Sequence, residues 1–203
     1  MLSLNSEHWK MVAITLERII TNLDLQRPSF QIARTSFDAI RVPNISLYDY
    51  LARLSYYTRC SNSCYIIAFI YIDRVLQKNN ELVILSRNSV HRFILISLVL
   101  AIKYVDEIYA DNSFYSKIGG ITLEEINRLE IEMLRLMDYN LYIDTNLYFE
   151  YLDNLTVYSQ KINDETNTKI ELMEDHSRKG LKIESGNSIV KIKKRRKNNR
   201  KNK

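Results

Sequence analysis

The sequence contains few residues that break regular secondary structure. Its 203 residues include only two prolines and four glycines. These two residue types form most tight turns, so their scarcity disfavours a β architecture with many strand connections, whereas long helices need neither. Apolar residues make up 46% of the chain and charged residues 26%, which is enough for an ordinary buried core. The composition therefore predicts an all-α protein.

Cysteines and long apolar runs are also scarce. Cys60 and Cys64 are the only cysteines, and two thiols alone do not make a zinc site, so we expect small buried side chains on one helix face in a reducing compartment. The longest apolar stretch, residues 93–102, includes Ser97 and is about half of the roughly 20 residues that a membrane helix needs. Residues 1–10 lack a basic segment followed by an apolar run. We therefore expect a soluble protein of the nucleus, the cytoplasm or both, with no membrane partner.

Positive charge is confined to one end of the chain. Nine of the 29 basic residues lie in residues 191–203, which leaves 20 basic against 24 acidic residues elsewhere. The body is therefore not a cationic nucleic-acid binder, and the tail is predicted to be disordered. The tail either contains a nuclear-localisation signal or is merely a solvated end. The candidate signal residues are Lys193, Lys194, Arg195, Arg196 and Lys197.

Apolar residues recur every three or four positions along most of the chain, which is the spacing of one helix face. The predicted helices cover about residues 7–23, a segment capped by Asn44 or Ser46 that reaches residue 57, residues 61–77, the segment HRFILISLVLAIKY behind a cap at 86–89, residues 122–137 and residues 146–158. The segment HRFILISLVLAIKY is apolar on every side, which places it at the centre of a helix bundle.

Two details of this pattern need separate mention. Thr122 and Glu125 form the T-x-x-E pattern of a capping box, directly after the chain break at Gly119-Gly120. Isoleucine and valine leave a strand as the alternative for residues 65–72 and 93–102, although length and capping favour helices.

Two charged residues occupy unusual positions. Glu130 falls inside an apolar stripe, four residues after Ile126 and four before Leu134, where an unpaired carboxylate would cost several kcal/mol. Lys103 lies at the far end of the all-apolar segment, where the negative end of the helix dipole favours a cation by roughly 0.3–1 kcal/mol. Glu130 therefore pairs with Lys103 for stability, or contacts a group outside the chain.

Five short motifs now coincide with a family pattern. They are Tyr-Ile-Asp-Arg, Val-His-Arg, Ala-x-Lys-Tyr-x-Asp, Phe-Tyr-x-x-x-Gly-Gly and Asn-x-Leu-Glu, in that order along about residues 37–155. This stretch resembles a cyclin box, and more narrowly that of the P/U-type cyclins related to fungal phosphate-signalling cyclins. Each motif alone is weak, but five in order over about 120 residues make a specific match.

The resemblance implies a single box of five packed helices with HRFILISLVLAIKY at its centre, an additional N-terminal helix and one further C-terminal helix. The residues after 155 are too few and too polar for a second box. The expected organisation is an N-terminal helix and connector at 1–36, a cyclin box at 37–158 and a polar to basic, disordered tail at 159–203.

The resemblance also implies a function, which is to bind and activate a cyclin-dependent serine/threonine protein kinase without contributing a catalytic group or a cofactor. In cyclins, the lysine of Ala-x-Lys and the glutamate of Leu-Glu pair on the surface that binds the kinase beside its movable C-helix. By position these are Lys103 and Glu130, and the apolar neighbours in that contact are Tyr104, Leu134 and Tyr139.

The first box helix departs from the family pattern. Many cell-cycle cyclins recruit substrates through an Arg-x-x-Leu-like stretch and a tryptophan, where this chain has Asn44-Ile45-Ser46-Leu47 and Tyr50. Substrate docking by that route is therefore in doubt. The departure also removes the arginine that commonly pairs with a buried aspartate, here Asp73, and Arg53 is the predicted replacement.

Two other function classes were weighed. His8, His91 and His176 have no evident cysteine or serine partner, and the sequence lacks a phosphate-cradling glycine loop and metal-ligand spacing, so an enzyme is disfavoured. A cyclin-fold adaptor for transcription or nucleic acid is the better alternative, because nine tail charges could contact phosphates. The tail has no aromatic residue for stacking on bases, which argues against it.

Overall fold

Seven helices make up the regular structure in a computed structural model, which describes residues 7–26, 35–79 and 83–168. The helices are α1 (His8–Gln26), α2 (Leu47–Thr58), α3 (Asn62–Lys78), α4 (Val90–Val105), α5 (Asn112–Gly119), α6 (Leu123–Leu136) and α7 (145–168). The described residues divide into two units, one that ends at residue 159 and one that begins at residue 160. No strand occurs in the three described ranges, so the all-α prediction is confirmed and the strand alternative is wrong.

Helix α4 lies at the centre of the first unit, as its apolar sequence predicts. Twelve of its sixteen residues are buried, and α3 is the helix against which it packs most extensively. The ring of Phe93 stacks on that of Phe37, with centroids 4.1 Å apart, so the loop before α2 is attached to the same core. A helix buried on all sides leaves only its two ends near solvent.

Helix α5 approaches α4 closely because Gly119 has no side chain. A Cβ atom at Gly119 would lie only 2.3 Å from Cδ2 of Leu95 on α4. The next residue, Gly120, adopts φ +72° and ends α5 in the left-handed conformation that glycine tolerates best. The predicted chain break at this glycine pair is therefore a helix C-terminus packed against the central helix.

The helix N-termini match the predicted caps in part. Oγ of Ser46 accepts from N of Asp49 at 3.0 Å, and Oγ1 of Thr122 accepts from N of Glu125 at 3.0 Å. The capping-box interpretation goes too far, however, because Oε1 of Glu125 binds the guanidinium of Arg92 on α4. Tertiary contact thus takes the carboxylate that local sequence assigned to the cap.

Two other expectations need correction. Cys60 precedes α3, which starts at Asn62, so the two thiols do not share one helix face; Cys60 is half-buried, Cys64 is buried, and both are free. The final helix continues ten residues beyond the predicted end at 158, so residues 159–168 are helical where a polar tail was expected. Residues 169–203, including the candidate localisation signal, lie outside the described residues.

Candidate functional site

A compact ion pair joins the C-terminal end of α4 to the middle of α6. Nζ of Lys103 donates to Oε1 of Glu130 at 2.6 Å. The side chains retain only 27% and 15% of their exposure, so water screens this pair less than an ordinary surface pair. Lys103 lies in the last turn of α4, where the helix dipole also favours its charge. The pairing that the sequence predicted is present.

Asn112, the first residue of α5, completes this network. Its Nδ2 donates to Oε2 of Glu130 at 2.7 Å and to Oδ1 of Asn127 at 2.7 Å. Both carboxylate oxygens of Glu130 are therefore bound, by side chains from two other helices. The sequence analysis missed Asn112, because nothing in a single sequence shows that the start of α5 meets the middle of α6. The result is a rigid polar centre held by α4, α5 and α6.

Exposed apolar residues lie next to members of this polar centre in the sequence. Tyr104 and Val105 directly follow Lys103, Ile131 directly follows Glu130, and all three are exposed. Further exposed apolar residues are Ile108, Tyr109, Tyr139 and Tyr142, with Ile108 91% exposed. Leu134 is half-buried and packs against the core. Exposed tyrosine and isoleucine side chains close in sequence to a partly buried charge pair are typical of a protein-binding surface.

The turn after α6 holds Tyr139 in an uncommon backbone conformation. Asp138 and Tyr139 adopt φ +49° and +56°, in the left-handed region that non-glycine residues rarely enter. N of Tyr139 donates to O of Leu134 at 2.8 Å, and the Asp138 carboxylate pairs with Lys78 of α3. These contacts fix the turn, and the Tyr139 ring stays exposed.

Comparison with known proteins identifies the family to which this chain belongs. The cyclin family model matches residues 8–141, which span all of α1 to α6. This chain belongs to the cyclin family. Cyclin-U4-2 of Arabidopsis thaliana is 43% identical over 136 residues, covering 66% of this chain and 62% of that protein. Cyclin-U4-1 of the same plant is 37% identical over 142 residues, covering 68% of this chain and 70% of that protein.

A rice protein shows the same kinship. Cyclin-P3-1 of Oryza sativa subsp. japonica is 34% identical over 152 residues, covering 72% of this chain and 64% of that protein. The matched segments of the curated relatives span between 51% and 70% of those proteins. Their U- and P-type names confirm the resemblance to the P/U-type cyclins.

The predicted pairing of Asp73 with Arg53 is wrong. The Asp73 carboxylate accepts from Nε2 of Gln77 at 2.6 Å and from the hydroxyl of Tyr151 on α7. Burial, and then the nearby Asp73 carboxylate, raise the pKa of Tyr151, so this hydroxyl remains a proton donor at neutral pH. Arg53 instead lies over the ring of Tyr50, with Cζ 5.2 Å from the centroid. Asp73 on this cyclin is thus a structural residue that binds α7 rather than α2.

Tyr50 does not form the apolar docking surface that a tryptophan forms in many cell-cycle cyclins. Its side chain is buried, and its hydroxyl donates to O of Gly119 at 3.0 Å, which joins α2 to α5. The ring is therefore used for packing inside this cyclin. This geometry agrees with the doubt about substrate docking by the tryptophan route.

The two histidines in the described residues have structural partners, and His176 lies outside those residues. His8 and His91 each bind a backbone carbonyl, that of Asn62 and that of Ile45. Within the described ranges, no three His, Cys, Asp or Glu side chains form a group that could hold a metal ion. None of the described helices is long and apolar enough to cross a membrane.

Proposed function

We propose that this cyclin binds and activates a cyclin-dependent serine/threonine protein kinase and contributes no catalytic group itself. The observation that supports this most is the Lys103–Glu130–Asn112 network, surrounded along the chain by exposed tyrosine and isoleucine side chains. Charged groups already fixed by neighbours cost little further ordering when a partner binds. Lys103 and Glu130 are then available to bond backbone groups of the kinase beside its C-helix.

The mechanism follows from population shift. A protein kinase is active when its C-helix glutamate pairs with the lysine that positions ATP. A rigid helical surface that binds the helix-in conformer more tightly shifts the kinase toward activity, whereas equal affinity for both conformers would shift nothing. The three-helix anchorage of Glu130 supplies the rigidity that such selective binding needs.

Purification from native cells tests this proposal first. The full-length protein is immunopurified, and the co-eluting proteins are identified by mass spectrometry. A kinase catalytic subunit at near-equal amount is the expected result. Nucleic acid or transcription factors without a kinase would contradict it and favour the cyclin-fold adaptor instead.

Matched variants then test the surface. With the co-eluting kinase, Glu130→Gln is expected to weaken binding about 10–100-fold, because the Lys103 charge loses its partner. Glu124→Gln, an exposed change on the same helix, is the control and should bind as wild type. Ile108→Asp changes a side chain that is 91% exposed, so it leaves the fold intact and should also weaken binding. Wild-type affinity for both Glu130→Gln and Ile108→Asp, in folded protein, would overturn the proposed surface.

The basic tail is proposed separately as a nuclear import signal. Replacing the basic residues of 193–197 by glutamine in a fluorescent fusion should reduce the nuclear fraction and leave kinase binding unchanged. An unchanged nuclear fraction would mean that these charges are merely solvated.

A further inference from the structure

A second polar region lies at the other end of α4. A cavity of about 620 Å³ opens between the loop before α2, the helices α2 and α4, and the turn after α5. Arg41, Arg53 and Arg92 line it together with His91, and none of the described lining residues is acidic. Three guanidinium groups around one cavity create a positive potential that attracts an anion.

Only one of these arginines has an acidic partner among the described contacts. Arg92 is paired with Glu125 at 2.6 Å. Arg53 lies over the Tyr50 ring, and its Nε is buried without a hydrogen-bond partner in the described part of the chain. A buried N–H without an acceptor is energetically unfavourable, so an acceptor that reached this atom would be stabilised there.

His91 provides a second unsatisfied group. The residue is only 9% exposed, its Nε2 donates to O of Ile45 at 3.1 Å, and its Nδ1 is buried with no partner within the described ranges. Burial and the neighbouring Arg53 and Arg92 lower the pKa of His91, so the free protein holds it neutral. Because the neutral ring donates through Nε2, its Nδ1 is an acceptor, which an anion cannot use. An anion in the cavity would instead offset the repulsion between Arg53 and Arg92 and favour protonation of Nδ1, which could then donate to it.

The guanidinium of Arg53 also lies close to the turn at Gly120. Nη2 of Arg53 lies 3.5 Å from where a Cβ of Gly120 would be, so the guanidinium rests against the turn that ends α5. The stack on Tyr50 from one side and the turn from the other restrict the guanidinium. A restricted guanidinium loses little side-chain entropy when it binds an anion through two parallel hydrogen bonds.

We propose that this cavity binds the phosphate group of a phosphorylated serine or threonine in a peptide. Clustered arginines are the common way in which proteins recognise phosphate on peptides. The cavity also has apolar residues at its mouth, with Ile40 87% exposed and Ile121 partly exposed. These side chains would contact the residues on either side of the phosphorylated one. A free anion has no such flanking residues.

The cavity is separate from the proposed kinase-binding surface. Arg92 and Lys103 lie eleven residues apart on α4, which is about 16 Å along the helix axis. Peptide binding at the cavity therefore does not depend on the proposed function, and the two sites can be tested independently with different variants.

The test uses the full-length protein and an array of nine-residue peptides. Each peptide carries a central phosphoserine or phosphothreonine in varied flanking sequences, beside an unphosphorylated twin. A subset of phosphorylated peptides is expected to bind at least about 10-fold more tightly than their twins, as measured by fluorescence polarisation. Equal binding of phosphorylated and unphosphorylated peptides throughout would overturn the proposal.

Variants locate the binding. Arg53→Gln should lose at least about 10-fold in affinity, and the exposed Arg41→Gln should lose a smaller factor without any effect on the core. Lys161→Gln, an exposed change far along the chain, is the charge-matched control. Wild-type affinity in both arginine variants would contradict this location. Inorganic phosphate that competes at the same concentration as the peptide would overturn a peptide ligand in favour of a free anion.

The same variants separate this proposal from the previous one. Arg53→Gln should retain kinase binding, and Glu130→Gln should retain phosphopeptide binding. Loss of both activities in either folded variant would contradict two independent sites.

Discussion

The two ends of α4 hold cations in opposite circumstances. At the C-terminal end, Lys103 is neutralised by Glu130, whose other oxygen is bound by Asn112. At the N-terminal end, Nε of the Arg53 guanidinium is buried with no partner in the described part of the chain. An ion pair with exposed apolar neighbours in the sequence suits a protein surface, whereas a guanidinium with an unsatisfied donor in a cavity suits an anion. The two ends of one central helix thus lie at two proposed sites of different chemistry.

A double-mutant cycle probes the ion-paired end and carries the largest expected effect. Glu130→Ala leaves the Lys103 charge without its partner and should cost about 2–3 kcal/mol of kinase binding. Lys103→Met together with Glu130→Ala should cost less than the sum of the two single changes. Additive costs, measured by calorimetric titration, would mean that the pair does not act as a unit.

Helix α5 connects the two ends, so a change in it tests whether they respond together. Asn112 starts this helix at the proposed kinase-binding end, and Gly119 ends it at the cavity. Gly119→Ala would place a methyl group against Leu95 and should lower the free energy of unfolding by about 1–3 kcal/mol. Urea denaturation measures this loss. A stability equal to wild type would show that Leu95 moves aside freely.

A change of backbone conformation at Asp138 concerns only the proposed kinase-binding end. Asp138→Gly places glycine at a left-handed position, where it has no steric strain, and removes only an exposed ion pair. The free energy of unfolding should therefore rise by about 0.5–1 kcal/mol. Phosphopeptide binding should not change. A fall in stability in thermal unfolding would show that the Lys78 contact outweighs the relief of the backbone.

The pH dependence of stability concerns only the cavity end. The pKa of His91 is lowered in the folded protein from 6.5, so the unfolded chain binds more protons on acidification. The stability that neutral His91 contributes is therefore complete above about pH 6.5. It is lost as the pH falls toward the lower pKa that His91 has in the folded protein. His91→Gln should reduce the fall in melting temperature on acidification. The pKa of His8 is also lowered, so this residue still contributes to the pH dependence in the variant. Identical pH profiles for His91→Gln and wild type would contradict this assignment.

Local pattern predicted the helices but not every partner of their charged residues. The spacing of apolar residues located the central helix and the helix faces, because burial of a face repeats every three to four residues. The partner of Glu130 was correctly expected, because Lys103 lies at the end of a helix that must be central. Asn112 was missed, and Arg53 was wrongly assigned to Asp73, because those contacts depend on which helices cross and at which turn. A single sequence holds no direct record of such crossings.

The same limit explains why the sequence did not predict the cavity. Arg53 lies on α2, whereas His91 and Arg92 lie on α4, and the turn at Gly120 that lines the same cavity comes later still in the chain. His91 and Arg92 belong to the Val-His-Arg motif and Gly120 to the Phe-Tyr-x-x-x-Gly-Gly motif, but neither motif predicts an anion site. The sequence therefore indicated only that the first box helix departs from the family pattern, at Tyr50.

The burial of α4 also determines how the molecule opens. Its amide hydrogens form helical bonds inside a shell of other helices, so we expect them to exchange with solvent only when the whole domain unfolds. Loops and outer helices can exchange through smaller openings. Both sites would then remain fixed to the slowest-exchanging segment of the protein, so that local fluctuations around either one leave the other undisturbed.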